Sequence, residues 1–215
     1  MKYSALITQR EDKDAHNQII ETLEVEYIKF FNSLDIEIFP ISAFQNNIEE
    51  LIKKLKINLI IFSGGGNGNP KYYLNKYQGY IQTNRDILEE KLFNIAQKYN
   101  IPIIGICRGM QHINGILGGK IRNLEKVREI GKEQSVYLSE ENNFILVNNF
   151  HNDGILKKDL AKELKEIARD EKYNIIEGYC SLNNKILGFQ WHPERKYQDK
   201  EQGKKIILNF LERIK

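Results

Sequence analysis

Residues 101–119 of this 215-residue chain read IPIIGICRGMQHINGILGG and largely decide its fold. The apolar run at 101–106 predicts a buried strand, and the spacing of apolar residues over 110–117 predicts a helix that the next two glycines end. Between strand and helix lies the pentapeptide GICRG, residues 105–109. A glycine-flanked turn from a buried strand into a helix is typical of a nucleophile elbow, in which a sharp bend projects one side chain.

Around this segment, strands and helices alternate through the first half of the chain. Short apolar runs predict strands over 2–8, 36–39 and 58–62, with Pro40 stopping the second, and helical periodicity predicts helices over 19–34, 48–55 and 85–99. The second half is predicted to contain strands over 135–138, 144–147, 175–179 and 186–190 and helices over 160–168 and 204–214. The alternation predicts one α/β domain, residues 1–215, built as a three-layer sandwich with a mostly parallel central sheet.

The composition excludes several classes of protein. With 41% hydrophobic and 28% charged residues, the chain is unlike disordered proteins. Its 32 basic and 29 acidic residues give a net charge of +3 and are mixed along the sequence, which argues against a nucleic-acid partner. No apolar run reaches the roughly 18 residues of a membrane helix, and the first apolar run is too short for a signal peptide. Two cysteines favour the reducing cytoplasm over a secreted disulfide scaffold.

Cys107 is the candidate nucleophile, because the helix that follows directs its N-terminus at the thiol and the helix dipole favours the reactive thiolate. A buried structural cysteine is the alternative explanation of the same pentapeptide. The candidate base is His192, in GFQWHPER at 188–195, where Pro193 keeps the backbone extended. Residues i and i+2 of an extended segment share a side, so Glu194 is placed to orient the His192 ring.

Taken together, these segments resemble the class I glutamine amidotransferase domain. The elbow with a following Gln111 matches that family, as do NLIIFSGGG at 58–66 and ILGFQWHPER at 186–195, and ILVNNFHNDGI at 145–155 resembles its V-N-S-x-H segment. The resemblance covers most of the chain. It implies a flavodoxin-like fold and acyl transfer through a glutamyl thioester, with no cofactor and no metal.

The resemblance also implies a role for each matching position. Cys107, His192 and Glu194 would form a catalytic triad. The backbone N–H groups of Gly65 and Arg108 would form the oxyanion hole. The glutamyl end of the substrate would be held by Gln111, Asn148, Asn149 and His151, with Arg108 or Arg85 paired to its α-carboxylate.

Two features resemble the free-standing γ-glutamyl hydrolase branch: Arg108 directly after the cysteine, and the pair Arg85-Asp86 that opens the preceding helix. Within that branch, the whole chain is most similar to γ-glutamyl-CDP-amidate hydrolases. The implied reaction releases glutamate and CDP-amidate (cytidine diphosphoramidate), used for the phosphoramidate group of bacterial capsule polysaccharide. A polar loop over 64–82, with Lys71 and Lys76, lies on the expected leaving-group side.

Three other functions remain open from the sequence. The chain is alternatively a glutaminase subunit that supplies ammonia to a separate synthetase, or a hydrolase of γ-glutamyl-polyamine or γ-glutamyl-aminobutyrate. A non-catalytic binding module is the third. The presence of all three triad residues argues against the third function, because binding modules of this fold commonly lack one of them. Under each hydrolase interpretation the partner is a small γ-glutamyl molecule.

Overall fold

A computed structural model of the protein describes residues 2–75, 77, 79–124 and 130–215. In chain order the strands are β1 (Tyr3–Thr8), β2 (Arg10–Lys13), β3 (Ile19–Thr22), β4 (Ile36–Ile41), β5 (Leu59–Phe62), β6 (Ile103–Ile106), β7 (Arg122–Asn123), β8 (Glu133–Leu138), β9 (Asn143–Asn148), β10 (Asp153–Leu156), β11 (Lys165–Asp170), β12 (Ile175–Ser181) and β13 (Ile186–Phe189). The helices are α1 (Val25–Asn32), α2 (Ile48–Lys54), α3 (Thr83–Tyr99), α4 (Arg108–Ile116) and α5 (Lys200–Arg213), with short 3-10 turns at Pro70–Tyr72 and Lys157–Asp159.

The strands at the centre of the main sheet are parallel. The order β4-β1-β5-β6-β13 is parallel throughout, and the side chains of β5, β6 and β13 are buried on both faces. Helices join the parallel strands of the first half, as such crossovers require. The carboxyl ends of the parallel strands therefore meet at one edge of the sheet, where β5 leads into the glycine-rich loop and β6 leads into the elbow.

The second half of the chain extends this sheet with antiparallel strands. The order continues β13-β12-β11-β8-β9, with each neighbouring pair antiparallel, and β10 pairs with β12 and β7. The predicted α/β fold is confirmed, with the parallel strands at the centre of the main sheet. The antiparallel part brings the end of β9 beside the segment that follows β13, where His192 is located.

Two apolar cores lie on opposite faces of the sheet and make the three layers. On one face the apolar side chains of α1 and α5 pack on the sheet, with Phe30, Phe31 and Ile207 among them. On the other face α2, α3 and α4 supply side chains such as Ile52 and Leu92. Burial of this kind contributes about 25 cal/mol per Å² of apolar surface. Across the described residues, no helix has the length and apolar character to cross a membrane.

The predicted helix over 19–34 is wrong in its first half. Ile19–Thr22 is strand β3, which pairs antiparallel with β2 in a separate hairpin, and the helix is confined to Val25–Asn32. Ile19 and Ile20 fitted the apolar helix stripe, yet they are 48% and 37% exposed. Two adjacent β-branched residues favour an extended backbone, and that preference prevails where no core covers them.

Two smaller predictions also differ from the structure. The helix expected over 160–168 is absent, because Lys165–Asp170 forms β11 between β8 and β12, where Ile167 and Ala168 enter the core as strand residues. A four-residue apolar spacing there matched a helix by chance. Pro40 does not stop its strand, since β4 continues to Ile41. Proline is tolerated there because β4 is the edge strand and pairs only with β1 within the described sheet.

Candidate active site

The backbone of Cys107 is strained at the elbow. The residue lies between β6 and α4 with φ of 51° and ψ of −106°, a conformation that residues other than glycine rarely adopt. Such conformations cost about 1–3 kcal/mol and persist where the surroundings enforce them. A Cβ at Gly109 would lie 2.1 Å from the carbonyl oxygen of Phe62, so only glycine permits this close packing of α4 on β5. The turn presents the Cys107 thiol at the carboxyl edge of the sheet.

His192 reaches Cys107 because their strands are parallel neighbours. Phe189 of β13 pairs with Ile106 of β6, and the Cys107 N–H donates to the carbonyl oxygen of Phe189 over 2.7 Å. Three residues after β13, the His192 side chain lies beside that of Cys107, since a Cβ on Gly64 would lie 2.6 Å from Cε1 of His192 and 3.4 Å from Cβ of Cys107. The Nδ1 atom of His192 lies 2.6 Å from Oε1 of Glu194. The three side chains are thus contiguous, in the order that the sequence predicts.

The surroundings of His192 favour its protonated form. Its side chain is 3% exposed, and that of Glu194 is fully buried. Burial alone would lower the pKa of His192, but the negative charges of Glu194 and Cys107 outweigh burial and raise that pKa to about 10. The ring therefore carries a proton at neutral pH.

Asn148, at the end of β9, fixes the backbone of His192 from both sides. Its Nδ2 donates to the His192 carbonyl oxygen over 2.7 Å, and its Oδ1 accepts from the His192 N–H over 3.0 Å. Asn148 is 3% exposed. One hydrogen bond from each end of its amide thus positions the histidine backbone.

The glycine-rich loop after β5 is held by Arg85. This fully buried guanidinium donates to the carbonyl oxygens of Ser63, Gly64 and Gly65 over 2.5, 3.1 and 2.9 Å. The N–H of Gly64 donates to the Tyr27 hydroxyl over 2.9 Å. In a trans peptide, the carbonyl of one residue and the N–H of the next point in opposite directions. The Gly65 N–H is therefore directed away from Arg85.

Arg108 belongs to a buried ion network that joins the elbow to α3. Its guanidinium contacts the carboxylates of Asp86 and Glu89, and its Nε donates to the carbonyl oxygen of Asn67 over 3.1 Å. Glu89 also accepts from Arg85 Nε over 3.0 Å. Burial alone would raise the pKa of Glu89, but the two guanidinium groups outweigh it and lower that pKa to about 2. Glu89 is therefore a buried anion between two buried cations.

A series of amides connects the thiol to Asp153. Gln190 Nε2 lies 3.7 Å from Cys107 Sγ, and Gln190 Oε1 accepts from Gln111 Nε2 over 3.1 Å. Gln111 Nε2 also lies 3.0 Å from the carbonyl oxygen of Asp153. The Asp153 carboxylate accepts from the Tyr73 hydroxyl through Oδ2 over 2.6 Å, while its buried Oδ1 has no hydrogen-bond partner among the described residues. Burial raises the pKa of Asp153.

The sequence matches the Peptidase C26 family over residues 3–194, the span that contains the elbow, the glycine-rich loop and the His-Glu segment. The chain belongs to the Peptidase C26 family. Among its relatives, the gamma-glutamyl-CDP-amidate hydrolase of Campylobacter jejuni is 31% identical over 184 residues, which cover 85% of this chain and 85% of that protein. The predicted resemblance to class I glutamine amidotransferases and their γ-glutamyl hydrolase branch is confirmed.

Two further similarities fit the Peptidase C26 assignment. The glutamine-hydrolysing GMP synthase of Staphylococcus saprophyticus is 31% identical over 176 residues, covering 77% of this chain but 29% of that protein. The crystal structure of a glutamine amidotransferase from Thermotoga maritima superposes with a TM-score of 0.62 at 19% identity, covering 99% of this chain and 90% of that one. The second similarity confirms the fold.

Both arginines predicted to pair with a substrate carboxylate are placed elsewhere in this Peptidase C26 chain. Arg85 and Arg108 are fully buried, and their guanidinium groups are bound to loop carbonyls and to the carboxylates of Asp86 and Glu89. That arrangement explains why the Cys-Arg-Gly and Arg-Asp features accompany one another here. They are two parts of one ion network, which positions the loop and the elbow.

The other predicted contacts cluster near Gln111. Asn149 Oδ1 accepts from the N–H of His151 over 3.4 Å, and His151 Nδ1 lies 2.9 Å from the carbonyl oxygen of Asp153. His151 Nε2 lies 3.8 Å from the buried Glu177 carboxylate. Asn149 and His151 are 1% and 8% exposed. They thus line the same buried region as Gln111.

Sequence reasoning missed two residues next to the predicted ones, Gln190 and Asp153. Gln190 and Asp153 lie within segments already matched to the family, but their side-chain partners are distant in sequence. Of the two predicted loop lysines, Lys71 is bound to Glu90 over 2.5 Å at the surface. Lys76 lies outside the described residues.

Proposed function

We propose that this chain is a cysteine-dependent γ-glutamyl amide hydrolase with a Cys107–His192–Glu194 triad. The observation that carries the proposal is the strained elbow that places Cys107 beside His192, whose Nδ1 lies 2.6 Å from the Glu194 carboxylate. A buried structural cysteine would need neither the strain nor the ion pair. Membership of the Peptidase C26 family supports the same chemistry.

In the first step the Cys107 thiolate attacks the γ-carbonyl carbon, forming the C–S bond. The oxygen that gains the electron pair accepts hydrogen bonds from the backbone N–H groups of Gly65 and Arg108. The Arg108 N–H is the first of α4 and has no partner within the helix, and the Gly65 N–H faces away from Arg85. Each well-placed donor of this kind is worth about 3 kcal/mol in the transition state.

In the second step the tetrahedral intermediate collapses and the C–N bond breaks. His192 gives its proton to the departing nitrogen and then takes a proton from the water that attacks the thioester. Hydrolysis of the C–S bond releases glutamate and restores the Cys107 thiolate. Glu194 keeps the His192 ring oriented through both transfers.

The glutamyl group is proposed to bind on the Gln111 side of Cys107. Gln111, Asn149 and His151 supply polar groups there, and Oδ1 of Asp153 is a buried acceptor suited to the α-ammonium group. Arg85, Arg108 and Asn148 act indirectly, because their own contacts hold the loop, the elbow and the histidine.

The proposed substrate is γ-glutamyl-CDP-amidate, giving glutamate and CDP-amidate for capsule phosphoramidate biosynthesis in the cytoplasm. The similarity to the Campylobacter jejuni enzyme over 85% of both chains supports this substrate. The GMP synthase relative favours a second candidate, a glutaminase subunit that delivers ammonia to a separate synthetase.

The test measures glutamate release by the purified chain without any other protein. We expect kcat/KM for γ-glutamyl-CDP-amidate to exceed that for glutamine, γ-glutamyl-aminobutyrate and a γ-glutamyl-polyamine, because contacts to a remote group lower the barrier at the carbonyl. Equal values for all four would remove the nucleotide from the proposal. Negligible values that a synthetase restores for glutamine would establish the subunit function instead.

A further inference from the structure

A small cavity lies beside the glycine-rich loop, on the side of the β2–β3 hairpin. It has a volume of about 130 Å³, and its walls include Gly64 and Gly65 from the loop, Tyr27 and Glu24 near α1, and Arg10 from the hairpin. Gln82 ties hairpin and loop together, since Oε1 accepts from the N–H of Glu11 and Nε2 donates to the Gly65 carbonyl oxygen. The hairpin is therefore fixed at the edge of the active site.

The cavity is separate from the proposed glutamyl site and lies next to His192. The residues proposed to hold the glutamyl group, such as Gln111 and Asp153, do not line it. A Cβ on Gly64, in the cavity wall, would lie 2.6 Å from Cε1 of His192. Since His192 is the proposed proton donor to the departing nitrogen, a group attached to that nitrogen would lie next to the cavity.

Arg10 places a cation in the wall of this cavity, and one of its N–H donors makes no hydrogen bond to the described residues. Its stem packs on the loop so closely that a Cβ on Gly65 would lie 2.7 Å from Arg10 Cδ. One terminal nitrogen lies 3.2 Å from the Asp12 carboxylate, while the buried Nε has no hydrogen-bond partner among the residues that the structure describes. A buried donor without a partner costs free energy, which an acceptor on a ligand would recover.

Glu24, the carboxylate among the residues that line the cavity, is hydrogen-bonded to another arginine. Glu24 accepts from Arg195 Nε over 3.1 Å and from its terminal nitrogen over 2.6 Å. Arg195 also lies 4.5 Å from the centre of the Phe150 ring. Glu24 is thus paired with Arg195, and Asp12 engages one terminal nitrogen of Arg10, which leaves the Arg10 Nε–H as the donor for a ligand.

We propose that Arg10 binds an anionic group of the leaving group, namely the phosphoryl group bonded to the scissile nitrogen. This inference rests on the proposed function and names the contact that selects the substrate. A guanidinium binds phosphoryl oxygens through two parallel N–H donors, and the unused Nε–H is one of them. The cavity has room for a phosphoryl group, while the rest of a nucleotide would extend over the exposed part of Arg10, whose side chain is 41% exposed.

The experiment compares three leaving groups across matched variants. The substrates are γ-glutamyl-CDP-amidate with a phosphoryl group on nitrogen, γ-glutamyl-aminobutyrate with a distal carboxylate, and neutral γ-glutamyl-methylamide. The variants are Arg10→Gln, Arg10→Lys and the control Lys13→Gln, an exposed cation on the same hairpin. We expect Arg10→Gln to lower kcat/KM for the phosphoryl substrate by about 10- to 100-fold, the usual loss of a charged hydrogen bond. Arg10→Lys should recover part of it.

The neutral substrate should be hydrolysed by Arg10→Gln at nearly the wild-type rate, and Lys13→Gln should match wild type on all three. An equal loss on all substrates would overturn the proposal and make Arg10 a support for the oxyanion loop. A loss confined to γ-glutamyl-aminobutyrate would assign Arg10 to a carboxylate instead. If wild type cleaves none of the three, the proposed function fails, whereas cleavage that Arg10→Gln leaves unchanged defeats only this inference.

Discussion

Replacing Glu89 with glutamine tests whether the buried ion network holds the active site together. Glu89 is fully buried and accepts from Arg85 Nε over 3.0 Å and from the Thr8 hydroxyl over 2.7 Å, besides its contact with Arg108. Glutamine keeps the shape but removes the charge and turns an NH₂ donor toward a guanidinium. Two buried cations then share the single remaining carboxylate of Asp86.

The expected cost is large because breaking a buried ion pair leaves a charge without compensation. Such changes cost about 3–5 kcal/mol. In a chain of this length 1 kcal/mol corresponds to about 2–4 °C in Tm, so the melting temperature should fall by about 6–20 °C. The sign of the pH dependence follows from the lowered pKa of Glu89. Its stabilisation is present above the unfolded pKa of about 4.5 and is lost as pH falls toward 2.

Thermal unfolding followed by circular dichroism, from pH 7 down to pH 2, measures this effect, and the wild-type advantage over Glu89→Gln should shrink between about pH 4.5 and pH 2. The matched control is Glu49→Gln, which removes an exposed carboxylate paired with Lys98 and should leave Tm at the wild-type value. Activity at a temperature where Glu89→Gln is folded should also fall, because Arg85 and Arg108 hold the loop and the elbow. A melting temperature equal to that of wild type would refute the structural role of the network.

Three other predictions concern the site directly. Cys107→Ala and Cys107→Ser should lower kcat by roughly 10⁴-fold or more with unchanged circular dichroism, and near-normal activity in either would exclude Cys107 as the nucleophile. His192→Asn should lose more activity than Glu194→Gln, and the latter should move the alkaline limb of the kcat/KM profile to lower pH, because the Glu194 charge raises the pKa of His192 to about 10. Asp153→Asn should raise KM for γ-glutamyl substrates by about tenfold with a smaller change in kcat, and an unchanged KM would contradict an α-ammonium contact.

The elbow was predictable from sequence because its constraints are local. Glycine is required at 109 because a Cβ there would lie 2.1 Å from the Phe62 carbonyl oxygen, and the pentapeptide itself contains that glycine. The His192–Glu194 contact is equally local, since it needs only an extended backbone over three residues. Their meeting with Cys107 follows from two parallel strands side by side, which an α/β pattern predicts.

Other parts of the site could not be predicted, because their partners are far apart in the chain. The sequence around Arg85 led to the prediction of a substrate contact. Only the folded structure shows that Arg85 donates hydrogen bonds to the carbonyl oxygens of the glycine-rich loop. Arg10 lies 55 residues before Gly65, within a hairpin whose isoleucines imitate a helix stripe. In each case the pattern of apolar residues says nothing about the role of the arginine, because that role depends on polar contacts with residues distant in the sequence.

The distribution of charge around Cys107 suggests how one edge of the sheet can bind both the glutamyl end and the leaving-group end of an amide substrate. On the Gln111 side the Asp153 carboxylate has an oxygen without a hydrogen-bond partner among the described residues, and it suits a cation. On the hairpin side the Arg10 guanidinium has such a nitrogen, and it suits an anion. A γ-glutamyl substrate with a charged leaving group has that polarity, with an ammonium at one end and a phosphoryl group at the other. Binding in the reverse direction would place like charges together at both ends, so the two residues proposed to attract the substrate would also orient its carbonyl toward the thiol.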